Sequence, residues 1–136
     1  TERRDASTNA SMDENEISGR VIGAAIEVHK AIGPGLLEGV YRKCLAYELE
    51  QAWLRVRSEV PLPIRYKDME FKDAYRIDLL VDDILIVELK AVDILLPVFT
   101  AQLLSYLKMS QLRFGLLINF NVPYLKDGTK RVVNNF

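Results

Sequence analysis

The sequence predicts an α/β domain, a sheet covered by helices, and three observations lead there. Apolar residues first recur at helical spacing and then switch to short strand-like runs. Two of those runs are apolar on both faces, as in strands covered from both sides. A further helical stretch, Pro97 to Met109, is interposed between strands, so helices and strands share one core.

Taken in order, Thr1 to Asn15 is polar and short of anchors. It is expected to be a loose lead-in to a single domain over residues 16–136, with Met12 as a candidate natural start. From about Glu14 to Ala31 the positions Ile17, Val21, Ala24, Ala25, Val28 and Ile32 follow helical spacing. Gly33-Pro34-Gly35 ends that helix, because Pro cannot extend the hydrogen-bond ladder and Gly accepts a left-handed cap. A second helix, Leu37 to Trp53, is expected to turn Val40, Tyr41, Leu45, Leu49, Ala52 and Trp53 inward and Arg42, Lys43, Glu50 and Gln51 outward.

Leu54 to Ile64 alternates like a strand, and Pro61 and Pro63 favour an edge position. Tyr66 to Lys72 is expected to reverse the chain. Tyr75 to Val81 and Ile84 to Leu89 read as central strands separated by Asp82-Asp83. After the helix at 97–109, where Pro97 suits a first turn, come a strand from Phe114 to Phe120, a polar turn at Lys126 to Thr129 and a short strand over 131–133.

The totals narrow the function. The chain's 136 residues suffice for one core. Eighteen basic and 19 acidic residues leave a net charge of -1, so nothing global marks a polyanion or membrane binder. The lone Cys44 excludes an internal disulfide and a zinc ribbon, and the lone His29 excludes a multi-histidine zinc site. Any metal must therefore be held mainly by oxygens. No apolar run reaches the roughly 18 residues of a membrane span, and no leader is evident, so a cytoplasmic protein is expected.

Chemistry concentrates between Asp78 and Lys90. Asp78, Glu88 and Lys90 interrupt strands that are otherwise apolar, where an uncompensated charge is costly. Glu88 and Lys90 are two apart on one strand and share a face. Asp78 joins them only if the loop is three residues long, Asp82 to Ile84, which pairs Asp78 with Glu88; a two-residue turn would oppose it to Val87. The three-residue register is the expected one. Converging carboxylates, with the Leu89 carbonyl and water, suit Mg²⁺ or Mn²⁺, and Lys90 would assist an attacking water or offset phosphate charge. A buried ion pair with no catalytic role fits the same spacing.

These residues, with the motif Gly35-Leu36-Leu37-Glu38-Gly39-Val40-Tyr41 and the segments VELKA, AQLLSYL and LLINFNVPYLKDG, resemble the GxxExxY protein family of the PD-(D/E)xK nuclease superfamily from Ile17 to Asn134. The resemblance implies a restriction-endonuclease-like core, a central mixed β-sheet flanked by helices. It assigns Asp78, Glu88 and Lys90 to the motif and adds Glu38 and Gln102 as catalytic companions, with Tyr41 and Tyr106 as substrate-binding candidates. The usual proline before the aspartate is absent, since Arg76-Ile77 precedes Asp78. Phe99-Thr100 stands where relatives carry a His-Glu pair.

Metal-dependent hydrolysis of a phosphodiester in DNA or RNA is the leading expectation. Arg55, Arg57, Lys67, Lys72, Lys126, Lys130 and Arg131 are candidates to line one edge. A non-catalytic interaction protein on the same scaffold is the alternative. In that case the strand after Leu54 would be free to pair with a second copy or another protein. Hydrolysis of a small nucleotide is a third reading, which a closed pocket would favour.

Overall fold

The computed structural model describes residues 13–135. Most of the expected lead-in lies outside them, but its last residues belong to the domain. Asp13 caps helix α1 (Glu14–Ile32) by accepting the Glu16 N–H at 2.8 Å, and Glu14 and Glu16 complement the positive end of the helix. Gly33, at φ 69°, ends it as the Gly-Pro-Gly signal requires. Helix α2 (Glu38–Gln51) follows antiparallel in the same layer.

Five strands form one sheet in the order β1 (Val56–Tyr66), β2 (Met69–Val81), β3 (Leu85–Lys90), β4 (Phe114–Asn119) and β5 (Thr129–Val133). Helix α3 (Pro97–Ser110) connects β3 to β4. That crossover makes β3 and β4 parallel, while every other neighbouring pair is antiparallel, so the sheet is mixed.

Alternation along the central strands divides the core into two. Leu85, Val87 and Leu89 of β3, with Leu116 and Ile118 of β4, pack beneath α1 and α2 on Ile17, Val21, Tyr41 and Leu45. Ile86 and Leu117, from the same strands, pack on Leu103, Tyr106 and Leu107 of α3. Three layers result, with β3 and β4 buried on both faces as their apolar runs predict. Among the described residues no helix is long and apolar enough to cross a membrane.

Two local expectations are corrected. Tyr66 to Lys72 is not a broad reversal: the chain turns at Lys67-Asp68, with Lys67 at φ 54°, and β1 and β2 pair as far as Tyr66 and Met69. The alternation Met69-Glu70-Phe71-Lys72 is that of a strand with one polar face, which its many polar residues disguise as a turn. Trp53 and Val40 are 44 % and 40 % exposed rather than core, Trp53 because it leaves the end of α2 at φ 66°.

Candidate active site where two strands part

The register between β2 and β3 pairs Val81 with Leu85, Leu80 with Ile86 and Leu79 with Val87. The loop is therefore Asp82 to Ile84, the three-residue form that brings Asp78 opposite Glu88. Asp82 and Asp83 both adopt positive φ, 52° and 57°, a region that Asp tolerates better than most side chains. Asp82 anchors the loop: its N–H donates to the Arg55 carbonyl at 2.8 Å, and its Oδ1 accepts the Arg55 N–H at 2.9 Å. Arg55 and Arg57 both pair with Asp83, at 3.3 and 3.2 Å, and so serve the loop.

Beyond Leu79 and Val87 the two strands part, and side chains take over from the ladder. The Asp78 N–H donates to Glu88 Oε2 at 2.9 Å, and the Leu89 N–H donates to Asp78 Oδ2 at 2.8 Å. On its other side Asp78 faces Glu59, which at φ 51° interrupts the β1–β2 pairing between Ser58–Leu79 and Val60–Ile77. Asp78 is thus at a break in both ladders, next to Glu88 and held by two crossed hydrogen bonds.

Burial dominates the electrostatics. It pushes the Glu88 carboxyl up to about 8, with the charge of Asp78 adding in the same direction. Asp78 is also raised by burial, against the lowering effect of the Leu89 N–H and then of Lys90. Glu38, in the first turn of α2, is raised by burial and then by Asp78, which brings it into the same electrostatic group. Lys90 and Arg42 oppose the rise at Glu38, and Arg42 also pairs with Glu59 at 3.4 Å.

Helix α3 covers the pair. Lys90 Nζ rests 4.5 Å from the centre of the Phe99 ring, within cation–π range. One turn on, Gln102 is half-buried, and Tyr106 follows at four residues on the same stripe. Burial, then the Glu88 charge, pushes the Tyr106 hydroxyl up to about 12. The structure therefore gathers Asp78, Glu88, Lys90 and Glu38 by charge and Tyr106 by its contact with the field of Glu88.

Tyr41 holds the loop between α1 and α2. Its buried hydroxyl donates to the Gly33 carbonyl at 2.6 Å and accepts the Leu36 N–H at 3.1 Å, while its ring stacks on Phe120 at 4.3 Å. Both bonds brace the Gly-Pro-Gly loop. His29 likewise donates from Nε2 to the Val122 carbonyl at 2.8 Å, tying α1 to the loop after β4.

Several contributors are not singled out by sequence reasoning. Asn119 is buried and brackets Val92, accepting its N–H at 3.0 Å and donating to its carbonyl at 2.9 Å, which fixes the chain just after Lys90. The Phe120 N–H donates to the Lys90 carbonyl at 2.9 Å. A polar residue ending the apolar run Phe114 to Ile118 was the available signal for Asn119. Arg42 and Glu59 carried none.

The residues present suit a hard divalent cation. Asp78 and Glu88 each commit one oxygen to a backbone N–H and retain the other, and crowded carboxylates are relieved by positive charge. Leu89 directs its N–H into the gap, and in a strand the carbonyl of the same residue faces the same way. Among the described residues no group of three or more His, Cys, Asp or Glu side chains is arranged to hold a metal. The donors that these residues could offer a cation are two carboxylates and a carbonyl.

A mixed sheet between helical layers, with an acidic pair and a lysine where its second and third strands diverge, defines a restriction-endonuclease-like α/β domain. A family profile described as the PD-(D/E)XK nuclease superfamily matches residues 15–132, and the chain belongs to that superfamily. Comparison with curated proteins and with solved structures gives no match.

Proposed function

We propose that this protein hydrolyses phosphodiester bonds in nucleic acid, using Mg²⁺ or Mn²⁺ held by Asp78, Glu88 and the Leu89 carbonyl. The observation that carries the reading is the crossed pair of hydrogen bonds, which holds the buried Glu88 and the half-buried Asp78 side by side where the strands part. Held there, a divalent cation would polarise a phosphoryl oxygen and acidify a coordinated water. Lys90 supplies positive charge beside the attacking water and the phosphate, and its contact with Phe99 limits its conformations. Gln102 is the candidate to orient that water from α3, and Glu38 to draw its proton from the opposite wall, since burial keeps the Glu38 carboxyl more basic than usual. The motif Gly35 to Tyr41 supports the GxxExxY branch as the finer assignment.

One observation favours a second reading, a scaffold without catalysis: the absence of a three-ligand acidic cluster among the described residues. A cleavage panel separates the two. Single-stranded, duplex and branched DNA and RNA are incubated with Mg²⁺ or Mn²⁺ and wild type, Glu88→Gln or Lys90→Ala. Hydrolysis requires cleavage of at least one substrate and a loss of about 100-fold or more in each variant. Equal rates in all three proteins would rule this site out as the source.

A further inference from the structure

Beyond Pro61 and Arg76 the β1–β2 hairpin extends as a two-stranded arm, and one of its faces is apolar. Cross-strand pairing sets Leu62 beside Tyr75 and, beyond a register irregularity between Leu62 and Ile64, sets Ile64 beside Phe71 and Tyr66 beside Met69. The inner end of the stripe, Leu62, packs in the core with Ile77. Further out, Tyr75 and Phe71 are each 46 % exposed, Met69 53 % and Tyr66 59 %. Such an aromatic face on a ribbon of two strands has no reason to be left in water.

The stripe runs to the site. The Tyr75 ring contacts Tyr106 at 5.6 Å, and Tyr106 feels the charge of Glu88. Exposed rings are thus spaced along the arm, Tyr66 near its tip, Phe71 further in and Tyr75 at its base beside Tyr106. Lys67 lies 5.3 Å from the centre of the Tyr66 ring and brings a cation to the outer end. Arg65, Lys72 and Arg76 supply further positive charge against Asp68, Glu70 and Asp73, so the arm is nearly neutral.

We propose that this arm is a stacking platform for single-stranded nucleic acid, guiding an unpaired strand toward Asp78 and Glu88; the destination of the strand rests on the hydrolytic reading above. Aromatic side chains accept unpaired bases of any sequence on their faces, whereas paired bases inside a duplex offer none. A second copy of the chain is a poorer occupant. The four outer side chains leave roughly 400 Å² of surface, about half of what each partner contributes to a stable dimer. Pro61 and Pro63 also remove donors from the outer edge of β1.

The test is fluorescence anisotropy in EDTA with a labelled 20-nucleotide oligothymidine and, separately, a duplex of the same length. Binding is then read apart from hydrolysis. Wild type is expected to favour the single strand, with a shallow salt dependence because few phosphates are neutralised. Phe71→Ala combined with Tyr66→Ala should weaken it about tenfold or more, while Phe71→Trp retains it. Circular dichroism and sedimentation accompany each variant, whose changes fall on half-exposed positions. Unchanged affinity in the double alanine variant, a preference for duplex, or a dimer that the variant dissociates would each overturn the proposal. Binding that depends on the arm in a protein that cleaves nothing would instead keep the platform and remove the hydrolytic reading.

Discussion

Replacing Glu88 by Gln should stabilise the metal-free protein in alkaline solution, the reverse of what loss of a native carboxylate usually does. Burial lifts this carboxyl from 4.5 to about 8, so between those values the folded chain holds a proton that the unfolded chain has released. Stability then falls as pH rises through that window and stays low above it. At about 1.4 kcal/mol per unit, the loss is on the order of 5 kcal/mol at most. A glutamine has nearly the same shape, its carbonyl oxygen still accepts the Asp78 N–H, and it does not ionise. The assay is urea unfolding in EDTA at intervals from pH 5 to 9. Wild type should lose several kcal/mol relative to Glu88→Gln, and Mg²⁺ should restore much of it to wild type alone. Parallel curves, with a constant difference between the two proteins, would refute the assignment of a buried, proton-retaining Glu88.

Other changes test the scaffold around the site. Tyr41→Phe removes the hydroxyl that serves Gly33 and Leu36 and should cost about 1–3 kcal/mol in thermal or urea unfolding; a cost near zero would mean the loop is braced otherwise. Gly128→Ala should cost more than Gly115→Ala in the same assay. The added Cβ meets the Asn119 backbone carbonyl in the first case but only the Leu103 side chain, at 3.0–3.1 Å, in the second. The opposite ranking would count against the close approach of the turn to β4. Phe99→Leu keeps the apolar volume but withdraws the ring from Lys90; a loss of about 0.5–1 kcal/mol is expected, and an unchanged midpoint would show the ammonium to be held elsewhere.

Much of the architecture was legible because its signals are local. Gly33-Pro34-Gly35 separates two helices by backbone chemistry alone, and Pro61 and Pro63 mark β1 as an edge. The site register was legible for a different reason: Glu88 and Lys90 must share a face, and only a three-residue loop lets Asp78 share it. The arm was not legible. Its turn depends on Lys67 adopting positive φ, for which lysine gives no sign, and its polar face outnumbers its apolar one. The clamp of Asn119 on Val92 joins residues 27 positions apart and leaves no local pattern. Tyr41 drew attention through its motif, but the motif cannot distinguish a hydroxyl that meets substrate from one that braces a loop.

The two carboxylates also have a structural reason to be there. Strand β2 keeps β1 as its partner to the tip of the arm, and β3 keeps β4 as far as Lys90 and Asn119, so the strands separate after Leu79 and Val87. Separation leaves the N–H groups of Asp78 and Leu89 without ladder acceptors, and a buried donor without an acceptor costs about 1–3 kcal/mol. Glu88 Oε2 and Asp78 Oδ2 are those acceptors. An alanine at either position removes charge and acceptor together, so an inactive alanine variant speaks as much for a disordered strand end as for lost chemistry. An amide keeps an acceptor while removing the negative charge. The difference between amide and alanine variants at positions 78 and 88 therefore separates what the pair does for the sheet from what it does for a cation.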